Sequence, residues 1–152
     1  MGGSLIPNRF MGLLKIIVEK RKTVLIVTDG VAEINKIAGL IAGELSNWQV
    51  AIKDAKDFNG TDLLPADCCF IGCDKPNPPS FDYFQKLLRH INLSGRPCGI
   101  FTAESPEAIA YLSSIVKDSE MVLGGEPLFA SGLGDISSWV RGFANSVKKK
   151  IG

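Results

Sequence analysis

Asp29-Gly30 stands directly behind the apolar, mostly β-branched run Thr23-Val24-Leu25-Ile26-Val27 and the hydroxyl of Thr28. A polar turn with glycine, between a buried strand and a helix, presents backbone N–H groups that can hold an anion. Two other stretches carry polar groups behind apolar runs: Gly72-Cys73-Asp74-Lys75-Pro76-Asn77 and Thr102-Ala103-Glu104-Ser105. The reactive side chains are few. The four cysteines are Cys68, Cys69, Cys73 and Cys98, and the one histidine is His90. A zinc site takes about four ligands, and Cys69 and Cys73 do not make a C-x-x-C pair. Cys73 would need a base beside it to act as a nucleophile. Lys75 is close in sequence, whereas His90 lies far along the next helix. The strand cysteines are read as small hydrophobes, and Cys73 as an inert cysteine of the loop that follows.

The elements that position these stretches follow from periodicity. Val31, Ile34, Ile37, Ala38, Ile41, Ala42 and Leu45 recur at helical spacing behind the turn. Trp48 to Lys53 reads as a second strand. Thr61 to Leu64 has room for one helical turn, with Thr61 as its N-cap. Asp67 to Gly72 is a third strand, and Cys73 to Pro79 a rigid, proline-containing loop. Ser80 is expected to cap a helix carrying Phe81, Phe84, Leu87, Leu88 and Ile91, stopped at Ser94-Gly95. Cys98 to Thr102 is a fourth strand. Ser105-Pro106-Glu107 starts a helix with the stripe Ile109, Leu112, Ile115 and Val116. Met121 to Gly125 opens a fifth strand that resumes at Leu128 to Ala130. Asp135 is expected to cap a last helix with Ile136, Trp139, Val140, Phe143 and Val147 facing inward. Lys148, Lys149 and Lys150 suit the negative end of its dipole. Five strands alternating with four helices predict a three-layer α/β/α sandwich on a five-stranded parallel sheet.

Composition fits one domain. The chain has 152 residues, 45% of them hydrophobic and 22% charged, ordinary values for a globular protein with a full core. Lys plus Arg is 17 against 16 for Asp plus Glu, a net charge of +1. That balance gives no support for electrostatic capture of nucleic acid, and no apolar run has the length of a membrane span. Residues 1–22 are expected to form a lead containing a short amphipathic segment, and residues 23–152 the domain. Charges follow Leu13 to Val18 instead of preceding it, and no small-residue cleavage site follows, a pattern expected of a cytoplasmic protein.

Strand one feeding a tight turn and helix, the short connection Asn59 to Ala66, the third strand ending at Gly72 before a proline loop, and the interrupted fifth strand together resemble the flavodoxins. The resemblance covers Thr23 to Ile151. It implies the strand order 2-1-3-4-5, with a ligand at the switch point between strands one and three. It further implies FMN as cofactor, electron transfer in place of stand-alone enzymatic activity, and a redox partner protein. Thr28, Asp29, Gly30, Val31, Ala32 and Glu33 would then surround the phosphate. Gly72, Cys73, Asp74, Lys75, Pro76 and Asn77 would flank the ring on one side, and Thr102, Ala103, Glu104 and Ser105 on the other. The flavodoxin phosphate loop reads Ser/Thr-x-Thr-Gly-x-Thr. Aligned on Gly30, its three hydroxyl positions hold Val27, Asp29 and Ala32, and Asp29 adds a negative charge. The ring loops also lack an aromatic at the usual place. These departures support an alternative, a cofactor-free flavodoxin-fold domain that binds or scaffolds protein partners. Asp29-Gly30 also resembles the acidic site of response regulators, but a second acid at the strand end and a lysine near Ala130 are missing.

Overall fold

The computed structural model describes residues 22–131 and 135–151, with side chains up to Val147. The expected N-terminal lead therefore lies outside the described residues, apart from Lys22. So do the side chains of Lys148 to Lys150.

The first elements among the described residues are β1 (Thr23–Thr28), α1 (Ala32–Gly43) and β2 (Gln49–Asp54). A 3-10 turn (Ala55–Asp57) and a one-turn helix α2 (Gly60–Leu63) lead into β3 (Cys68–Gly72). There follow α3 (Phe81–Leu88), β4 (Pro97–Thr102), α4 (Pro106–Asp118), β5 (Val122–Leu123), β6 (Leu128–Phe129) and α5 (Ile136–Ile151). The sheet runs β2-β1-β3-β4-β5, with β6 resuming the last strand against β4. Every pairing is parallel. This is the order the resemblance implied, and β5 and β6 are the two halves of the interrupted strand.

Parallel strands need crossovers, and the helices that make them cover both faces. Central strands must therefore be apolar on both sides. Leu25, Val27, Cys69, Ile71, Cys98 and Ile100 pack under α3 and α4, against Phe81, Phe84, Leu112 and Ile115. Val24, Ile26, Cys68, Phe70 and Phe101 face the other way, toward Ile34, Ile37 and Ile41 of α1 and Ile136, Val140, Phe143 and Val147 of α5. Each such side chain contributes on the order of 1.5–3 kcal/mol by leaving water. Register brings the strand ends to one edge: Thr28 pairs with Asp54 and with Gly72, and Gly72 pairs with Phe101.

Two caps differ from expectation. The N-cap of α2 is Asn59, not Thr61: Asn59 Oδ1 accepts from Thr61 N at 3.0 Å, and Asp62 accepts from Asn59 N at 3.1 Å. This reciprocal capping box satisfies two donors where a threonine two residues later would satisfy one. Ser80 sits at the N-cap of α3 but makes no side-chain cap. Its hydroxyl is drawn away to the loop after β1. Ser105 behaves as expected, accepting from Ala108 N at 3.1 Å with Pro106 behind it.

Candidate functional site

The turn after β1 is closed by its own side chains. Gly30 N donates to Thr28 Oγ1 at 3.3 Å, and the Thr28 hydroxyl donates to Asn35 Oδ1 at 2.6 Å. Asn35 Nδ2 returns to the Gly30 carbonyl at 3.4 Å. Gly30 has φ of +83°, a conformation open to glycine and costly for other residues. The Asp54 carboxylate lies against it, so that a Cβ at this position would overlap Asp54 Oδ2. Asp29 bridges outward. Its Oδ1 accepts from Val31 N at 3.0 Å and its Oδ2 from Asp74 N at 2.8 Å, in the loop after β3. Ser80 Oγ donates to the Asp29 carbonyl at 3.2 Å. The β1 and β3 loops are thus joined at both ends of the Cys73–Ser80 segment.

Between them lies a cleft of about 390 Å³, within the range of small-ligand sites. Val31, Pro76, Pro78 and Pro79 give it apolar walls. Asp29, Asp74, Lys75, Asn77 and Ser80 supply its polar groups. Asn77, held between prolines, has φ of +53°, a left-handed conformation that asparagine tolerates better than most residues.

Six of the residues named from sequence therefore meet at the cleft: Asp29, Val31, Asp74, Lys75, Pro76 and Asn77. Thr28, Gly30, Ala32, Glu33, Gly72 and Cys73 do not line it, nor do Thr102, Ala103, Glu104 and Ser105. Thr28 and Gly30 act behind it, through the turn. Thr102 is buried, and its hydroxyl is the one buried side-chain polar atom without a hydrogen-bond partner among the described residues. Val31, placed on the helix stripe by periodicity, is the exposed residue ahead of α1 instead. Pro78, Pro79 and Ser80 are additions that sequence reasoning missed as site residues. The run of prolines was the available signal for the first two. Tyr83 is exposed on α3.

Burial pushes the Asp29 carboxyl above its ordinary 3.8, and the nearby Asp74 charge adds to this, while the N–H groups of Asp74 and Val31 pull it back. Cys73 is fully buried, and burial first, then the charges of Asp29 and Asp74, push its thiol up to about 12. It is no nucleophile in this setting. Among the described residues no three His, Cys, Asp or Glu side chains are grouped to hold a metal ion.

The turn opposes the phosphate of FMN, although the first turn of α1 has no side-chain cap and keeps N–H donors there. The N–H groups of Gly30 and Val31 already have acceptors. Carboxylates of Asp29 and Asp54 stand at the turn, with Asp74 close by. A unit charge about 4 Å from one of them is opposed by on the order of 4 kcal/mol at an effective dielectric of about 20. Each charged hydrogen bond recovered in exchange returns roughly 1.5–3 kcal/mol. The apolar part of the cleft, Val31 with Pro76, Pro78 and Pro79, carries no such conflict.

No family model matches the chain, and no curated protein matches it. Solved structures do. Flavodoxin 2 from Bacillus cereus, in its oxidised form, superposes with a TM-score of 0.72 at 18% identity, over 82% of this chain and 98% of that one. A short-chain flavodoxin associated with a bacterial microcompartment gives 0.72 at 12% identity, over 83% and 99%. The flavodoxin of Fusobacterium nucleatum, solved with flavin mononucleotide bound, gives 0.62 at 13% identity, over 84% and 96%. Likeness at such low identity speaks for architecture, and with the strand order and switch-point cleft it makes the fold of this chain flavodoxin-like.

Proposed function

We propose that this protein is a flavin-binding electron carrier of the flavodoxin type, which holds its flavin by the ring in the cleft between the β1 and β3 loops. The observation that carries this reading is the cleft itself. It lies at the carboxyl edge of the sheet, beside the β1/β3 switch point where open α/β folds bind ligands, and it has the volume for a ring system. The structural neighbours, two of them solved with flavin mononucleotide, support the same reading. Bound there, a flavin would supply the redox chemistry. The chain's own part is to wall off water with Val31, Pro76, Pro78 and Pro79, and to hold the two loops at a fixed separation through Asp29 and Ser80. A protein partner would exchange electrons at this edge.

A second reading is a cofactor-free binding or scaffolding module. The observation favouring it is that Gly30 N and Val31 N are satisfied within the chain. Titrating the purified protein into FMN and into riboflavin, following flavin fluorescence, separates the two. Quenching that saturates at micromolar concentration or tighter supports the carrier. Protein that leaves both flavins unquenched supports the module.

A further inference from the structure

We infer that the Asp29 side chain stands in for the ligand phosphate, so that the cleft selects a flavin without a phosphate group, riboflavin over FMN. The inference rests on the flavin reading above and narrows it.

The geometry is that of an anion already seated in its nest. A carboxylate one residue behind β1 receives Val31 N on one oxygen and Asp74 N on the other, at 3.0 and 2.8 Å. A phosphate at the N-terminus of α1 would take Val31 N among its donors, and Asp29 already holds that N–H. The carboxylate is tethered to the turn, so an incoming phosphate competes with an acceptor held in place at high local concentration. If Asp29 did swing out, it would leave its charge at the rim of the cleft beside Asp74 and Asp54.

Of the lysines nearby, one lines the cleft beside Asp29 and Asp74 and two are paired with carboxylates. Lys75 is the cationic residue lining the cleft. Lys56 Nζ lies 3.9 Å from Asp54 and Lys53 Nζ 3.9 Å from Asp62, so both are engaged with other carboxylates. Riboflavin carries the ring without the dianion. It can meet Val31 and the prolines while the Asp29 bridge stays intact.

The test is a fluorescence titration of the whole chain with riboflavin and with FMN, at low and at high salt, on the native protein and on Asp29→Ser. For the native protein riboflavin is expected to bind at least about tenfold more tightly than FMN. High salt should narrow that gap by improving FMN alone, because screening weakens the repulsion. Asp29→Ser frees Asp74 N, loosens the hold on Val31 N and removes one charge, so the preference should shift toward FMN. Asp29→Asn, which keeps the shape and drops the charge, should fall between. FMN binding the native protein as tightly as riboflavin, or tighter, would overturn the inference and leave the carrier reading standing. A ratio unchanged in both folded variants would also overturn it. Failure of both flavins to bind the native protein would overturn the carrier reading and the inference together.

Discussion

Asp29 is the residue on which most of the local physics converges. It is desolvated, faces the Asp74 charge, and is compensated by two backbone N–H bonds. Because its folded pKa lies above 3.8, the folded state holds this proton more tightly than the unfolded chain does. The stabilisation tied to that proton is present below the unfolded value and is lost as pH rises through the folded one. Asn at the same place does not titrate. In urea denaturation at steps upward from about pH 4, Asp29→Asn should gain stability relative to the native protein as pH rises from the unfolded value through the folded one, then run parallel to it. The cysteines make a second residue-level case. Cys68, Cys69, Cys73 and Cys98 are all buried, and burial raises the thiols of Cys68, Cys73 and Cys98. A chromogenic thiol reagent should register no fast-reacting cysteine in the native protein and all four once urea unfolds it.

At the scale of elements, the strands approach one another through glycine. Gly72 ends β3 against β4, and a Cβ there would enter the ring of Phe101, itself fully buried and unable to retreat. Gly72→Ala should therefore destabilise by about 1–3 kcal/mol, the usual cost of overpacking. Gly125, in the break between β5 and β6, has nothing within 4 Å of its would-be Cβ, and Gly125→Ala should stay within about 0.5 kcal/mol. Denaturation midpoints of the two variants side by side check the contrast. Helix α4 depends on one hydroxyl at its start. Ser105→Ala removes the acceptor for Ala108 N and should cost about 1 kcal/mol. The Ser80 hydroxyl, at the same position of α3, serves a different end, since it holds the β1 loop.

For the molecule as a whole, the layers decide which aromatic side chains matter. Phe101 lies in the central strand β4 with no exposed surface, while Phe129, in β6 near the sheet edge, is 49% exposed. Phe101→Ala should lose about 3–5 kcal/mol by transfer and cavity terms together, and Phe129→Ala less than about 1 kcal/mol. Equilibrium unfolding, read by fluorescence of the tryptophans, measures both. The same layering places function at one end. All strands are parallel, so the loops after β1, β2, β3 and β4 emerge at a common edge, and the cleft forms where β1 and β3 send their crossovers to opposite faces.

Much of this was legible along the chain. Period and punctuation are local: Thr23–Val27 could be read as a doubly buried strand, Ser105-Pro106-Glu107 as a helix start, and Gly124 to Pro127 as a break in the last strand, because each depends on neighbours a few residues away. The turn at Asp29-Gly30 was recognisable as the candidate site for the same reason. The missed features depend on distant partners. Asp29 meets Asp74 45 positions on, and Ser80 reaches back 51 positions to Asp29. No propensity within either segment encodes those contacts. They exist because sheet order brings β1 beside β3 in the register Thr28 with Gly72. Composition and periodicity alone determined the layers, the helices and the edge at which a ligand would sit. Only tertiary packing decided that the Asp29 carboxylate turns into the loop and takes the N–H groups of Val31 and Asp74, since a side chain's direction is set by the donors that folding brings to it.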